Sequence, residues 1–175
     1  RVKRGMARTF QINQLCRTMT PLEMIALVVS ERLGGGGRAF ARLDADARLV
    51  AETADILARF RLRDVMDEPI ATLAYGKQRQ IEIAAAFAAK PEVLLLDEPA
   101  AGVPEAERRE LLDTVALLPA DVSVLLIEHD MDIVFRFATR ITVLVNGRVL
   151  AEGEPEAMAR DASVRAAYLG EAAHG

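Results

Sequence analysis

The sequence predicts an α/β fold with a mostly helical subdomain, and three observations carry that prediction. Two short apolar runs, Val93-Leu94-Leu95-Leu96-Asp97 and Val122 to Glu128, have the length and character of strands buried on both faces of a parallel sheet. They alternate with segments that read as helices, Lys77 to Lys90, Pro104 to Leu118 and Met131 to Ala138. Residues 20–72, ahead of this alternation, read as mostly helical.

Taken in chain order, Ala7-Arg-Thr-Phe-Gln-Ile12 reads as a short strand running into a loop. Thr20-Pro21-Leu22-Glu23 opens a helix: Thr20 caps it, Pro21 takes the first helical position and Glu23 completes a capping box. Gly34 to Gly37 must end that helix, because each interior Gly costs up to about 1 kcal/mol against Ala. A second helix is expected over Asp44 to Phe60, where Ile56, Leu57 and Phe60 share a face. Pro69 then bars helical continuation. Beyond the alternating core, Ile141 to Val145 reads as a strand, and Asn146-Gly147 signals a hairpin that returns over Arg148 to Glu152. Glu156 to Leu169 reads as one or two short helices before a frayed tail.

Composition bounds the function. The chain of 175 residues is 51% apolar and 27% charged, which is globular and about one domain long. A net charge of -4 gives no basic surface of the kind nucleic acid requires, and the cluster Arg1, Lys3, Arg4 and Arg8 reads as a solvated segment. Cys16 is the one cysteine, so no intrachain disulfide can form. No apolar run approaches the ~20 residues of a membrane span, and no signal-peptide pattern is present. A first residue other than Met leads us to expect that the sequence begins inside a longer protein.

Four features carry chemistry. Asp97 and Glu98 end a buried strand, at the place where open α/β sheets bind ligands. Asp97 can hold Mg²⁺ and Glu98 can polarise a water against a phosphate; the alternative is a solvated acid pair at an ordinary strand end. Leu73-Ala74-Tyr75-Gly76-Lys77-Gln78 precedes a helix, where a Gly frees backbone N–H groups and removes the Cβ that would block an anion. Taken alone, that segment reads first as a plain loop-to-helix junction. His129 follows the second buried run and can donate to a phosphate, although a lone His is often structural. Gln11, at the first strand's end, can ligate a metal or hold a water.

The order Gln11, Gly76, Asp97-Glu98, His129 resembles the ATP-binding-cassette (ABC) ATPases over nearly the whole chain. The resemblance implies the C-terminal part of a P-loop NTPase domain. Gln11 would be the Q-loop glutamine that senses Mg²⁺ and couples to the membrane subunit. Leu73, Ala74, Tyr75, Gly76, Lys77 and Gln78 would be the signature motif, Asp97 the Walker B aspartate, Glu98 the catalytic glutamate and His129 the switch histidine. Ala100 to Pro104 would be the D-loop. The domains implied are 1–19, core strand end and Q-loop; 20–72, helical subdomain; 73–153, signature helix, Walker B and RecA-like core; and 154–175, C-terminal helices and tail. Ala-Arg-Thr-Phe-Gln, Tyr-Gly, Asp-Glu-Pro-Ala-Ala-Gly, Ile-Glu-His-Asp-Met and Ala-Tyr-Leu-Gly are similar to the LivG-type importer ATPases for branched-chain amino acids, with urea and amide importers as relatives of the same kind.

One motif and two positions depart from the family pattern. No G-x-x-x-x-G-K-[ST] phosphate cradle occurs in the chain, and Gly34 to Gly37, which leads into Arg38-Ala39 and follows Gln11, does not supply one. Ala74 stands where a Ser hydroxyl is usual, a bond worth about 1 kcal/mol. Pro104 stands where a D-loop Asp is usual. The implied partners are a second cassette, identical or not, integral-membrane permease subunits and, indirectly, a periplasmic binding protein, with ATP and Mg²⁺ at the cytoplasmic face of a bacterial inner membrane. The 175 residues alone are expected to lack ATPase activity. The rival readings are a catalytically inert cassette that only binds partners, and a non-transport ABC protein of translation or DNA repair, which would bring a second cassette or a coiled-coil insertion.

Overall fold

The computed structural model describes residues 6–8, 15–34 and 46–172, which fall into two compact units that meet in sequence between Ile127 and Glu128. In the first unit, β1 (Met6–Arg8), β2 (Val93–Asp97) and β3 (Ser123–Ile127) form a parallel sheet in the order β1-β2-β3. Met6 pairs with Val93, Val93 with Ser123, and Asp97 with Ile127. The helices of this unit are α1 (Pro21–Arg32), α2 (Ala47–Arg59), α3 (Tyr75–Ala88) and α4 (Glu105–Ala116).

The helix starts follow local chemistry. Thr20 and Glu23 form the capping box read from the sequence, with Thr20 N–H donating to Glu23 Oε2 at 2.9 Å and Glu23 N–H to Thr20 Oγ1 at 3.2 Å. Helix α2 begins at Ala47, later than the expected Asp44, because Asp46 is the residue whose carboxylate accepts from the Arg48 and Leu49 amides. Between α2 and α3 the backbone makes two 3-10 turns, Arg63–Val65 and Ile70–Thr72, so Pro69 interrupts the chain as expected.

The core of the first unit gathers Ile25 and Val29 of α1, Leu57 of α2, Phe60, Leu62, Ile70, Ile81 and Ala84 of α3, Leu94 and Leu96 of β2, and Leu111 of α4. Burying each large side chain contributes about 1.5–3 kcal/mol, which fixes β2 against the helices. The expectation of strands buried on both faces is corrected here. Leu94 and Leu96 are fully buried while Val93 and Leu95 are half-buried, and β3 is mostly exposed, with Leu125 at 55% and Ile127 at 52%. Only Leu126 of β3 packs on the core. Among the described residues of this unit, no element covers the open face of β3.

The second unit holds α5 (Met131–Phe137), the antiparallel hairpin β4 (Ile141–Val145) and β5 (Arg148–Gly153), α6 (Pro155–Arg160) and α7 (Ala162–Ala172). Asn146 at φ 51° and Gly147 at φ 74° make the tight turn that the Asn-Gly pair signals. Ile141, Met158 and Val164 form a small core of their own. Among the described residues no helix is long and apolar enough to cross a membrane.

Three helices of the first unit are clamped by Glu52. Its carboxylate pairs with Arg32 Nη2 at 2.6 Å and Lys90 Nζ at 2.9 Å, while Arg32 Nε donates to the Ala88 carbonyl at 3.0 Å. Burial by itself would raise the pKa of Glu52; the hydrogen bonds and charges of Lys90 and Arg32 outweigh it and hold the carboxyl below its ordinary value. A depressed folded-state pKa stabilises the protein above the unfolded value of about 4.3 and loses that contribution as pH falls through the folded one. Glu52→Gln is therefore expected to lose about 1 kcal/mol in urea unfolding at neutral pH, with the gap between variant and wild type closing in acid below the carboxylate range.

Candidate functional site

Strand β2 ends on the acid pair. Its apolar residues are held in the core, so Asp97 emerges at the carboxyl tip of a parallel strand and Glu98 begins the turn beyond it. Both side chains are half-buried. Glu98 N–H donates to the Ile127 carbonyl at 2.9 Å, which continues the β2–β3 ladder by one bond. The same residue has φ 44°, a left-handed conformation that costs a non-Gly residue roughly 1–2 kcal/mol. The chain then folds tightly: the Ala101 amide returns to the Glu98 carbonyl at 3.0 Å and the Val103 amide to the Ala100 carbonyl at 3.1 Å, before α4 begins after Pro104. Backbone strain of this kind collects where a side chain must be aimed.

The segment Leu73 to Gln78 enters α3. Leu73 is buried in the core, Ala74 is the N-cap and makes no side-chain cap, and Tyr75 and Gly76 are the first two helical residues. The expected freedom of the Gly76 amide is not what the structure holds. Gly76 N–H donates to Glu107 Oε2 of α4 at 2.9 Å. A Cβ at Gly76 would collide with that carboxylate, and Glu107 Cβ would lie 3.0 Å from it. The missing Cβ therefore makes room for a carboxylate supplied by the chain itself. Lys77 Nζ donates to Glu110 Oε1 and to the Arg61 carbonyl, both at 3.0 Å, and Gln78 Nε2 to the Leu73 carbonyl at 2.8 Å. The Tyr75 ring lies 3.4 Å from the Cβ position of Gly102, and the buried Arg79 guanidinium stacks on the same ring at 5.4 Å.

The structure thus brings the 73–78 entrance and the turn after Asp97-Glu98 together, through Tyr75 on Gly102 and Gly76 on Glu107. His129 is exposed in the second unit, directly before Asp130, whose carboxylate caps α5 by accepting from the Asp132 and Ile133 amides. Gln11 lies outside the described residues. Glu107 was missed in the sequence, where it reads as an ordinary first-turn acid of α4; the only local signal is an acid three residues inside a helix whose cap is Pro104. Among the described residues no group of three His, Cys, Asp or Glu side chains can hold a metal by itself. Asp97 remains a hard oxygen donor at a strand tip, which suits a Mg²⁺ that takes its other ligands from phosphates and water.

Comparison with known proteins follows the same lines. The family described as ABC transporter matches residues 1–101, and the family described as branched-chain amino acid ATP-binding cassette transporter matches residues 148–174. The chain is 38% identical to the high-affinity branched-chain amino acid transport ATP-binding protein LivG of Salmonella typhimurium, over 96% of this chain and 69% of that protein. It is 37% identical to BraF of Pseudomonas aeruginosa, a protein of the same description, over 97% of this chain and 69% of that one. Among solved structures, the ADP conformation of an ATP-binding cassette of an ABC transporter superimposes with a TM-score of 0.75 at 28% identity, covering 97% of this chain and 70% of that one. A nucleotide-free cassette gives 0.74 at 26% identity, over 95% and 69%.

The left-handed Glu98 yields a test independent of activity. Glu98→Gly removes the side chain and relieves the strained φ, so its unfolding free energy in urea should be unchanged or higher by up to about 1 kcal/mol. A loss of more than that would show that Glu98 contributes side-chain contacts worth more than its backbone costs.

Proposed function

The chain belongs to the ABC transporter family, as a relative of ATP-binding proteins of branched-chain amino acid transport, and on that premise we propose that it binds and hydrolyses ATP to drive import of branched-chain amino acids. The observation that carries this reading is the acid pair itself, delivered to the carboxyl tip of a parallel strand with Glu98 held in a strained conformation. The names of the relatives and the family match over residues 148–174 support the substrate class.

Each residue then has a role of its own. Asp97 would hold Mg²⁺, with Gln11 as a second ligand, and the metal would supply positive charge against the phosphates. Glu98 orients and polarises the attacking water. His129 donates to the terminal phosphate. The segment Leu73, Ala74, Tyr75, Gly76, Lys77 and Gln78 faces the nucleotide held by a second cassette, so that each site is shared by two subunits. Ala74 offers no hydroxyl to that nucleotide, which leaves the backbone of the helix entrance as the contact. Permease subunits couple through the Q-loop and the helical subdomain at the cytoplasmic face of the inner membrane, and a periplasmic binding protein delivers the amino acid to them.

The 175 residues contain no G-x-x-x-x-G-K-[ST] sequence, so the main cradle for the β- and γ-phosphates must come from elsewhere. Phosphate release from Mg·ATP separates this reading from an inert partner-binding cassette. The 175 residues alone should give no appreciable turnover. The same chain joined behind the P-loop segment of a LivG-type relative should hydrolyse ATP, and Glu98→Gln should lower that rate by about 10²-fold or more. Turnover by the 175 residues that is lost in Glu98→Gln would refute the need for an added cradle. Activity of the joined protein that survives Glu98→Gln would refute the role of Glu98.

A further inference from the structure

Helices α3 and α4 start without a side-chain cap, since their N-cap residues are Ala74 and Pro104. One carboxylate serves the first and lies in the first turn of the second. Glu107 is the third residue of α4, and its Oε2 accepts the Gly76 amide, the second of α3, at 2.9 Å. Each helix start presents about half a unit of positive charge; Glu107 lies at both, and Glu105 is a second acid in the first turn of α4. The contact is built in. Gly76 is buried, its absent Cβ is what admits the carboxylate, and the helices are fastened on the same side by Lys77 to Glu110 at 3.0 Å and Gln80 Nε2 to Thr114 Oγ1 at 3.2 Å.

We propose that the Glu107 carboxylate is a resident stand-in for a nucleotide phosphate at Gly76, and that an incoming phosphate must displace it. This rests on the reading of Leu73 to Gln78 as the loop that meets a nucleotide. Gly76 has one N–H to give, and a carboxylate with charge-assisted geometry already holds it. A phosphate on the same amide would abut that carboxylate, and two anions in contact repel. Phosphate arrival therefore requires the Glu107 side chain to rotate away. That rotation breaks the link between α3 and the first turn of α4, the helix that follows the Asp97-Glu98 turn. The entrance of one nucleotide site and the acids of the other are joined through this one side chain, which acts as a positioning residue.

The test follows the Gly76 amide resonance in the ¹⁵N-labelled chain during titration with inorganic phosphate at constant ionic strength, for wild type, Glu107→Gln and Glu107→Ala. Thermal unfolding confirms the fold of each variant, and Glu107→Gln keeps an acceptor oxygen if Glu107→Ala does not fold. The expected result is a wild-type Gly76 amide that scarcely responds, with phosphate binding at Gly76 at least fivefold tighter in the variants. An equal response in wild type and variants overturns the stand-in while leaving the loop reading intact. No response at Gly76 in any of the three overturns both.

Discussion

Helix α3 is the constraint on which the first unit depends. Its Ile81 and Ala84 are wholly buried, so it cannot move without opening the core. Its entrance is tied to α4 through Gly76 and Glu107, its second turn through Gln80 and Thr114, and its end to α1 through Arg32 and the Ala88 carbonyl. Phe87 meets Phe60 with ring centroids 5.6 Å apart, which joins the same helix to the end of α2. A helix held at both ends and along one side transmits a push at its entrance as a rigid body.

The acid pair depends on a different kind of constraint. Burial of Leu94 and Leu96 sets the depth of β2, and the parallel register with β3 sets where Asp97 leaves the sheet. The bond from Glu98 N–H to the Ile127 carbonyl then holds the next residue against β3 even though its φ is unfavourable. Strain at Glu98 is tolerated because the buried strand before it and the tight turn after it leave the backbone no cheaper path. The turn ends in α4, whose first-turn acid reaches back to Gly76, so the two elements with chemistry in this unit share one support.

Electrostatics divide between clamps and seats. Glu52 joins three helices by accepting from the partly buried Arg32 and the exposed Lys90, a structural use of charge. Glu107 accepts from a backbone amide at a helix start, where an anion gains from the dipole and where a phosphate would gain in the same way. The chemistry of the two carboxylates is the same; their partners differ, two cations for Glu52 and a backbone amide for Glu107.

The sequence by itself determined the element order, because strand-length apolar runs, the Thr20 capping box and the Asn146-Gly147 turn are all encoded within a few neighbouring residues. It also determined the family, because Leu73 to Gln78, Asp97-Glu98 and His129 are contiguous phrases whose order survives without coordinates. Only the tertiary structure decided that β3 is covered on one face and that the Gly76 amide is taken by Glu107. Each of these turns on which residue arrives across space from a distant part of the chain, and no local pattern records it: Glu107 lies 31 residues from Gly76 in sequence and 2.9 Å away in the fold.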